Sequence, residues 1–435
     1  MIKNKLSQLR SNPLARNTFW MFAGQACSMS LKAGYFLVIA RFLGPQQYGA
    51  FVGVSALVSI LAPYATVGSG NLLIKNVSRD RSLFNIYWGN ALVISITSGL
   101  GLMVVLLLVA NIVFPMRFPI TLLAMVALSD LLFARIVDVS AQAFQAVEIL
   151  SRTATLTSII NAARFVGAIL VVVFVQHPTA VTWSFVYLAS TTIAASIGVF
   201  SIHRKFGRPS TQLSRVPGEM AEGCFFAGSQ SAQNIYNDID KTMLARLSTL
   251  EYTGIYAAAY RLIDVAFVPV RALLFAAYAG FFRHGADGIG ATRRYSRGLL
   301  YRAMAYGALV SVALFLFAPV IPMLIGHQYA LTANALRWLS PLPFIKSIHY
   351  FEADTLTGSG HQGLRTSIQG FVALLNFGLN CWLIPLYSWK GAAWTSLASD
   401  SSLAILLIIA SAYLARRETF GDKIPACPEE VEHAI

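Results

Sequence analysis

Residues 226–256, FAGSQSAQNIYNDIDKTMLARLSTLEYTGIY, repeat the plan of residues 22–51, FAGQACSMSLKAGYFLVIARFLGPQQYGAF. Sliding the chain on itself by about 205 residues brings Ala40-Arg41 onto Ala245-Arg246 and Gly49-Ala50-Phe51 onto Gly254-Ile255-Tyr256. Polar positions correspond as well: Gln25 meets Gln230, Ser28 meets Gln233 and Lys32 meets Asn237. Chance similarity between apolar helices is the competing explanation. The later copy also places Gln230, Gln233, Asn234, Asn237, Asp238 and Lys241 within roughly 140 degrees of one helical face, at about 100 degrees per residue.

That polar face is expensive because of what surrounds it. The chain has 435 residues, of which 56% are hydrophobic, and only 12% are charged. Apolar runs of roughly 20 residues follow one another with short hydrophilic breaks, each long enough to cross a bilayer as a helix. About twelve spans result, near 17–40, 48–72, 86–110, 119–142, 153–175, 180–200, 223–245, 254–280, 299–325, 331–357, 364–385 and 390–414. The expected fold is all-α: a polytopic membrane protein of two six-helix lobes in parallel repeat around a central cationic cavity. The first apolar run is too long for a cleaved signal, so it reads as a retained span. Before it, Ile2, Leu6 and Leu9 recur at helical spacing among Lys3, Lys5 and Arg10, either a short amphipathic helix on membrane lipid or a frayed basic end.

The formal net charge of +14 is explained by topology rather than by nucleic acid. With the N-terminus inside, about 21 Lys and Arg fall in cytoplasmic breaks, and only Arg41, Arg117, Arg246 and Lys390 fall outside. This is the positive-inside pattern of an N-in, C-in protein of a bacterial cytoplasmic (inner) membrane. The domain plan is a cytoplasmic N-terminus 1–16, an N-lobe 17–200, a basic linker 201–222, a C-lobe 223–414 and a cytoplasmic disordered tail 415–435. External breaks are short and leave no room for a soluble catalytic domain. Cys27, Cys224, Cys381 and Cys427 have neither C-x-x-C spacing nor His partners, so neither a disulfide framework nor a metal site is indicated. No cofactor motif is present, and no paired carboxylates or nucleophile elbow suggest an enzyme.

Charges at hydrocarbon depth call for a function or a partner. The cations are Lys32, Arg164, Arg261, Arg271, Arg337 and Lys346, expected to make a cavity electropositive and to bind phosphate or carboxylate. Arg261, Asp264 and Arg271 share one face of the eighth span, and Arg261 can pair with Asp264, as Asp238 can with Lys241. Lys32, Arg164 and Arg271 have no acid one turn away in their own helix, so an anionic ligand or an acid on another helix must compensate them. Asp238, Asp240, Asp264 and Asp400 are candidates for carrying a coupling H+ or Na+, or for purely structural pairing.

Three runs carry a family resemblance: ARFLGPQQYGAF at 40–51, NDIDKTMLARLSTLEYTGIYAAAYRL at 237–262 and WKGAAWTSLASD at 389–400. Together they resemble polysaccharide repeat-unit flippases, of the O-antigen and exopolysaccharide kind, in the multidrug/oligosaccharidyl-lipid/polysaccharide exporter superfamily. The resemblance implies twelve or fourteen helices in two lobes and translocation of undecaprenyl-pyrophosphate-linked oligosaccharide from the inner to the outer leaflet. It also implies a lumen whose cations contact pyrophosphate or acidic sugars, and a polysaccharide polymerase as a possible partner. Two other functions stay open: an ion-coupled multidrug exporter of the same superfamily, and a membrane polymerase or ligase acting on lipid-linked glycans. Cationic drugs would suit acids in the cavity better than an excess of arginine.

Overall fold

The computed structural model describes residues 13–113 and 118–421, and no strand occurs among them. The amphipathic segment expected before the first span, the external Arg117 and the acidic end from residue 422 lie outside the described residues. The first two predicted spans form one kinked helix, α1 (Pro13–Leu61), in which only Gly44 leaves helical geometry, with φ 73° and ψ 167°. That left-handed backbone suits glycine, and Pro45 behind it has no N–H to continue the ladder. Next come α2 (Ser69–Arg79) and α3 (Phe84–Val113). The fourth span is α4 (Ile120–Ala127) and α5 (Ala134–Ala146), joined through a π-type widening at Leu128–Phe133. Then follow α6 (Leu150–Phe174), α7 (Ala180–Phe206) and α8 (Val216–Leu247). The expected linker is therefore short, since only 207–215 separate α7 from α8.

The eighth span breaks at Phe267, ahead of Pro269, into α9 (Leu250–Ala266) and α10 (Val268–Gly285). After α11 (Ile289–Phe317) and the short α12 (Ile321–Ile325), the tenth span is split at its prolines into α13 (Ala330–Leu339) and α14 (Leu342–Gly358). The chain closes with α15 (Gln362–Tyr387) and α16 (Trp389–Gly421).

Eight helical stretches among the described residues are long and apolar enough to cross a membrane, and the first, Cys27–Arg79, is 53 residues long and covers two predicted spans. The predicted spans absent from that set are the seventh, eighth and tenth, the ones that carry the polar stripe and most of the mid-depth charge. The apolar windows are also the least covered: 17% of the window in Arg81–Ala110 and 11% of that in Ile289–Ile325 is buried. A water-soluble protein would bury its most apolar helices first, so this inversion marks surfaces solvated by lipid. Leu108, Phe174 and Leu374 stand on them. The chain is a multi-pass membrane protein.

The helices group into two compact units. One runs to Ala258 and adds Pro319–Ala333 and Asn380–Ala392. Its core packs Leu73, Trp88, Phe144, Leu156 and Ile202, with the Phe84 and Phe206 rings 4.4 Å apart. Here α1 lies on α6 through small residues: a Cβ at Gly24 would come 2.5 Å from that of Ala154, and Asn161 donates to the Ser28 hydroxyl at 2.7 Å. The other unit comprises Ala259–Ala318, Asn334–Leu379 and the chain from Ala393. Its core gathers Phe267, Leu274, Phe281, Ala303 and Phe351.

Within the first unit the two repeats touch. A Cβ at Gly49 would strike the Leu250 carbonyl, and one at Gly254 would strike the Pro45 carbonyl. The 205-residue offset converts Pro45 into Leu250 and Gly49 into Gly254, so the second contact is the first with its partners exchanged. This crossing has the reciprocity of a twofold contact.

Candidate functional site

Arg164 is buried in α6, and its compensation comes from another helix. Its Nη2 lies 3.2 Å from Asp130 Oδ1 and 3.2 Å from Thr191 Oγ1, and its guanidinium stacks 3.8 Å from the centre of the Tyr187 ring. Tyr187 donates its hydroxyl to Asp130 Oδ2 at 3.0 Å, and Ser129 donates to Thr191 at 2.9 Å. Asp130 belongs to the π-type widening, which offsets its carboxylate from the regular helical rows. Arg164 is thus stacked and ion-paired inside the unit, and its buried Nε makes no hydrogen bond among the described residues.

The polar stripe of α8 is partly used to bind α1. Asp238 takes Lys241 Nζ at 2.8 Å and the Ser59 hydroxyl at 3.1 Å, while Asn234 donates to the Ser59 carbonyl and Ser231 to the Ile60 carbonyl, each at 2.7 Å. Asp240 is buried, accepts the Tyr256 hydroxyl and the Lys241 amide, and so ties α8 to α9. Both acids of the NDIDK run are engaged in packing.

In the second unit a different pattern holds. The helix break at Phe267 lets Arg271 reach back seven residues to Asp264, Nη2 to Oδ1 at 2.9 Å, and the Arg271 side chain remains 41% exposed. Arg261 sits half-buried on the same α9 segment, so that face holds two cations and one acid. Lys346 of α14 is 5% exposed, and its Nζ donates to the Tyr260 hydroxyl at 2.7 Å, 4.6 Å from the centre of that ring. Asp400 of α16 is buried beside His349, Oδ1 to Nε2 at 3.3 Å. Lys32 on α1 and Arg337 on α13 are exposed, the latter 5.7 Å from the centre of the Phe315 ring.

The structure therefore separates the predicted cations. Arg261, Arg271 and Lys346 belong to the α9, α10 and α14 helices of one unit, Lys32 and Arg337 are solvent-exposed, and Arg164 is internal. Sequence reading left the acid that compensates Arg164 unnamed, and the structure supplies it as Asp130. Tyr187 and Tyr260 carried no signal, because a tyrosine in an apolar run looks like packing. Replacing Tyr260 with phenylalanine leaves a buried ammonium without its hydrogen-bond acceptor, a loss of about 1.5–3 kcal/mol for a charged donor. The variant is expected to melt earlier in detergent, whereas Tyr301→Phe, at an exposed position, is expected to match the parent.

A family model described as "Polysaccharide biosynthesis protein" matches residues 14–277. Among solved structures, the chain is similar to a multidrug resistance MATE family transporter of the MOP superfamily in its inward-facing conformation. That match has 15% identity and TM-score 0.73, and covers 92% of this chain and 96% of that one. It is also similar to the lipid II flippase MurJ in an inward closed conformation (12% identity, TM-score 0.68, coverage 93% and 90%). A third is a MOP superfamily transporter from Pyrococcus furiosus described as having a binding pocket of reverse polarity (14% identity, TM-score 0.64, coverage 94% and 98%). At these identities the likeness is one of fold. A search of curated proteins finds no sequence match.

Proposed function

The chain belongs to the polysaccharide biosynthesis protein family, and on that premise we propose that it is a flippase for undecaprenyl-pyrophosphate-linked oligosaccharide. It would move repeat units from the inner to the outer leaflet of the cytoplasmic membrane, by alternating access between lobes 17–200 and 223–414, with both ends in the cytoplasm. The protein acts as a transporter rather than an enzyme.

The observation that carries the reading is the charge on α9 and α10: two arginines, Arg261 and Arg271, with one acid, Asp264, and Arg271 still 41% exposed after pairing. A guanidinium that is paired yet accessible can exchange its carboxylate for a phosphate oxygen without being stripped of all compensation. Lys32 adds an exposed cation on the first span. Lys346 belongs to the same scheme as a buried cation that needs Tyr260 to move before it meets a ligand. Arg337 and Arg164 are placed lower, the first because it lies on an aromatic ring and the second because it is already satisfied.

The similarity to a multidrug transporter favours one second reading, an ion-coupled drug exporter. The charge distinguishes the two, since a cationic drug would be repelled by the Arg261 and Arg271 face. In the native host, Arg271→Ala is expected to insert normally and to lower surface polysaccharide at least tenfold, with complete lipid-linked units accumulating on the cytoplasmic leaflet. Asp264→Asn, which keeps both arginines, is expected to retain export. Unchanged polysaccharide in Arg271→Ala, together with altered drug sensitivity on deletion of the gene, would move the assignment to the exporter.

A further inference from the structure

The titratable groups left over by the proposed substrate face gather where α14 meets α16. His349 is 4% exposed and Asp400 is 3% exposed. Their Nε2 and Oδ1 atoms are 3.3 Å apart, yet Nε2 makes no hydrogen bond among the described residues. The ring nitrogen is within reach of the carboxylate, but its in-plane direction passes beside Oδ1, so a small rotation of the imidazole is needed to align the two. One proton placed between them would then make a charge-assisted bond.

From this geometry we infer that His349 and Asp400 form a one-proton binding site that ties α14 to α16 when occupied. The inference rests on the transport reading only for what the proton drives, and there it names the coupling ion. The Nε2 lone pair takes a proton from hydronium, leaving water, and the ring then turns its new N–H bond onto Asp400 Oδ1. Release returns the proton to water, with no change of oxidation state.

The surroundings suit a site that toggles between two charge states. One turn along α14, Glu352 accepts the Ser411 hydroxyl of α16 at 2.5 Å, so a second polar contact bridges the same helices and does not depend on His349. Arg293 and Arg297 of α11 act on Glu352. Asp354, at the end of α14, lies 3.5 Å from Arg365 of α15, and Lys346, one turn before His349, is bonded to Tyr260 of α9. Arg271 of α10 is held by Asp264. Each of these charged side chains has a partner of its own. Loss of it would free a tie between α14 and α16, the kind of bistable contact that a cycling carrier requires.

The test uses the full chain labelled with 15N-histidine in lipid nanodiscs. With seven histidines, the spectrum is simple enough to identify His349 by its absence in His349→Gln. The expected result is that the His349 resonance responds to pH and that Asp400→Asn changes that response. In proteoliposomes given a pH gradient, both variants are expected to lose at least tenfold of the gradient-dependent flipping of a fluorescent lipid-linked diphospho-oligosaccharide. A His349 resonance that does not titrate, or that titrates identically in Asp400→Asn, overturns the site even if flipping is robust. Flipping that follows a sodium gradient and ignores pH also overturns it. Coupled titration in a protein that flips no lipid-linked saccharide would uphold the proton site and remove the substrate assignment instead.

Discussion

Replacing Gly254 with valine is expected to abolish recovery of folded protein from membranes. A Cβ there falls on the Pro45 carbonyl, and the reciprocal change at Gly49 falls on the Leu250 carbonyl and the Gly254 amide. All of these obstacles are backbone, which no rotamer change can clear. Overpacking a well-filled interior costs about 1–3 kcal/mol when side chains can adjust, and more when they cannot. Helix association in a membrane relies on close approach because apolar contact alone gives little advantage over lipid. The damage therefore goes to the mechanism that holds α1 against α9. Alanine at either position should be milder than valine but still visible, and Gly370→Val, with nothing within 4 Å, should behave as the parent. The measurement is the monodisperse fraction of a fluorescent fusion after detergent extraction, and parental recovery of Gly254→Val would refute the reciprocal crossing.

That crossing also shows how far sequence reading reaches. The alignment of Gly49 with Gly254 is visible in the residues themselves, because a repeated glycine in an apolar run marks a place where backbones can meet. That they meet each other is not visible, since nothing in a one-dimensional repeat says whether equivalent positions converge. The same limit governs the charges. Helical spacing placed Arg261, Asp264 and Arg271 on one face, but only the break at Phe267 shows how Arg271, seven residues on, comes within 2.9 Å of the acid. The polar stripe of α8 was legible as a stripe, whereas its use against Ser59 and Ile60 required knowing which helix lay opposite. Spans seven, eight and ten read as apolar runs like the others, yet their helices fall short of the apolarity of a spanning stretch, because their charged and polar side chains dilute the signal that identifies a span.

Arg164 offers the sharpest contrast between those levels, and its variants carry the second large effect. Arg164→Ala removes one member of a buried pair and leaves Asp130 with the Tyr187 hydroxyl and no cation, a loss of about 3–5 kcal/mol in comparable buried pairs. Asp130→Ala leaves a stacked guanidinium with Thr191 alone and should cost a similar amount. The double variant Asp130→Leu with Arg164→Met removes both charges together with their desolvation, so it is expected to recover most of the stability lost by either single change. Thermal unfolding in detergent measures the cycle. Export measured on the same variants then decides the role: if Arg164 serves packing, the double variant regains polysaccharide export along with its stability. If Arg164 contacts the pyrophosphate, the double variant is stable and export stays lost. The geometry favours the first outcome, because the two oxygens nearest its Nη2 and the ring beneath it are all supplied by the protein.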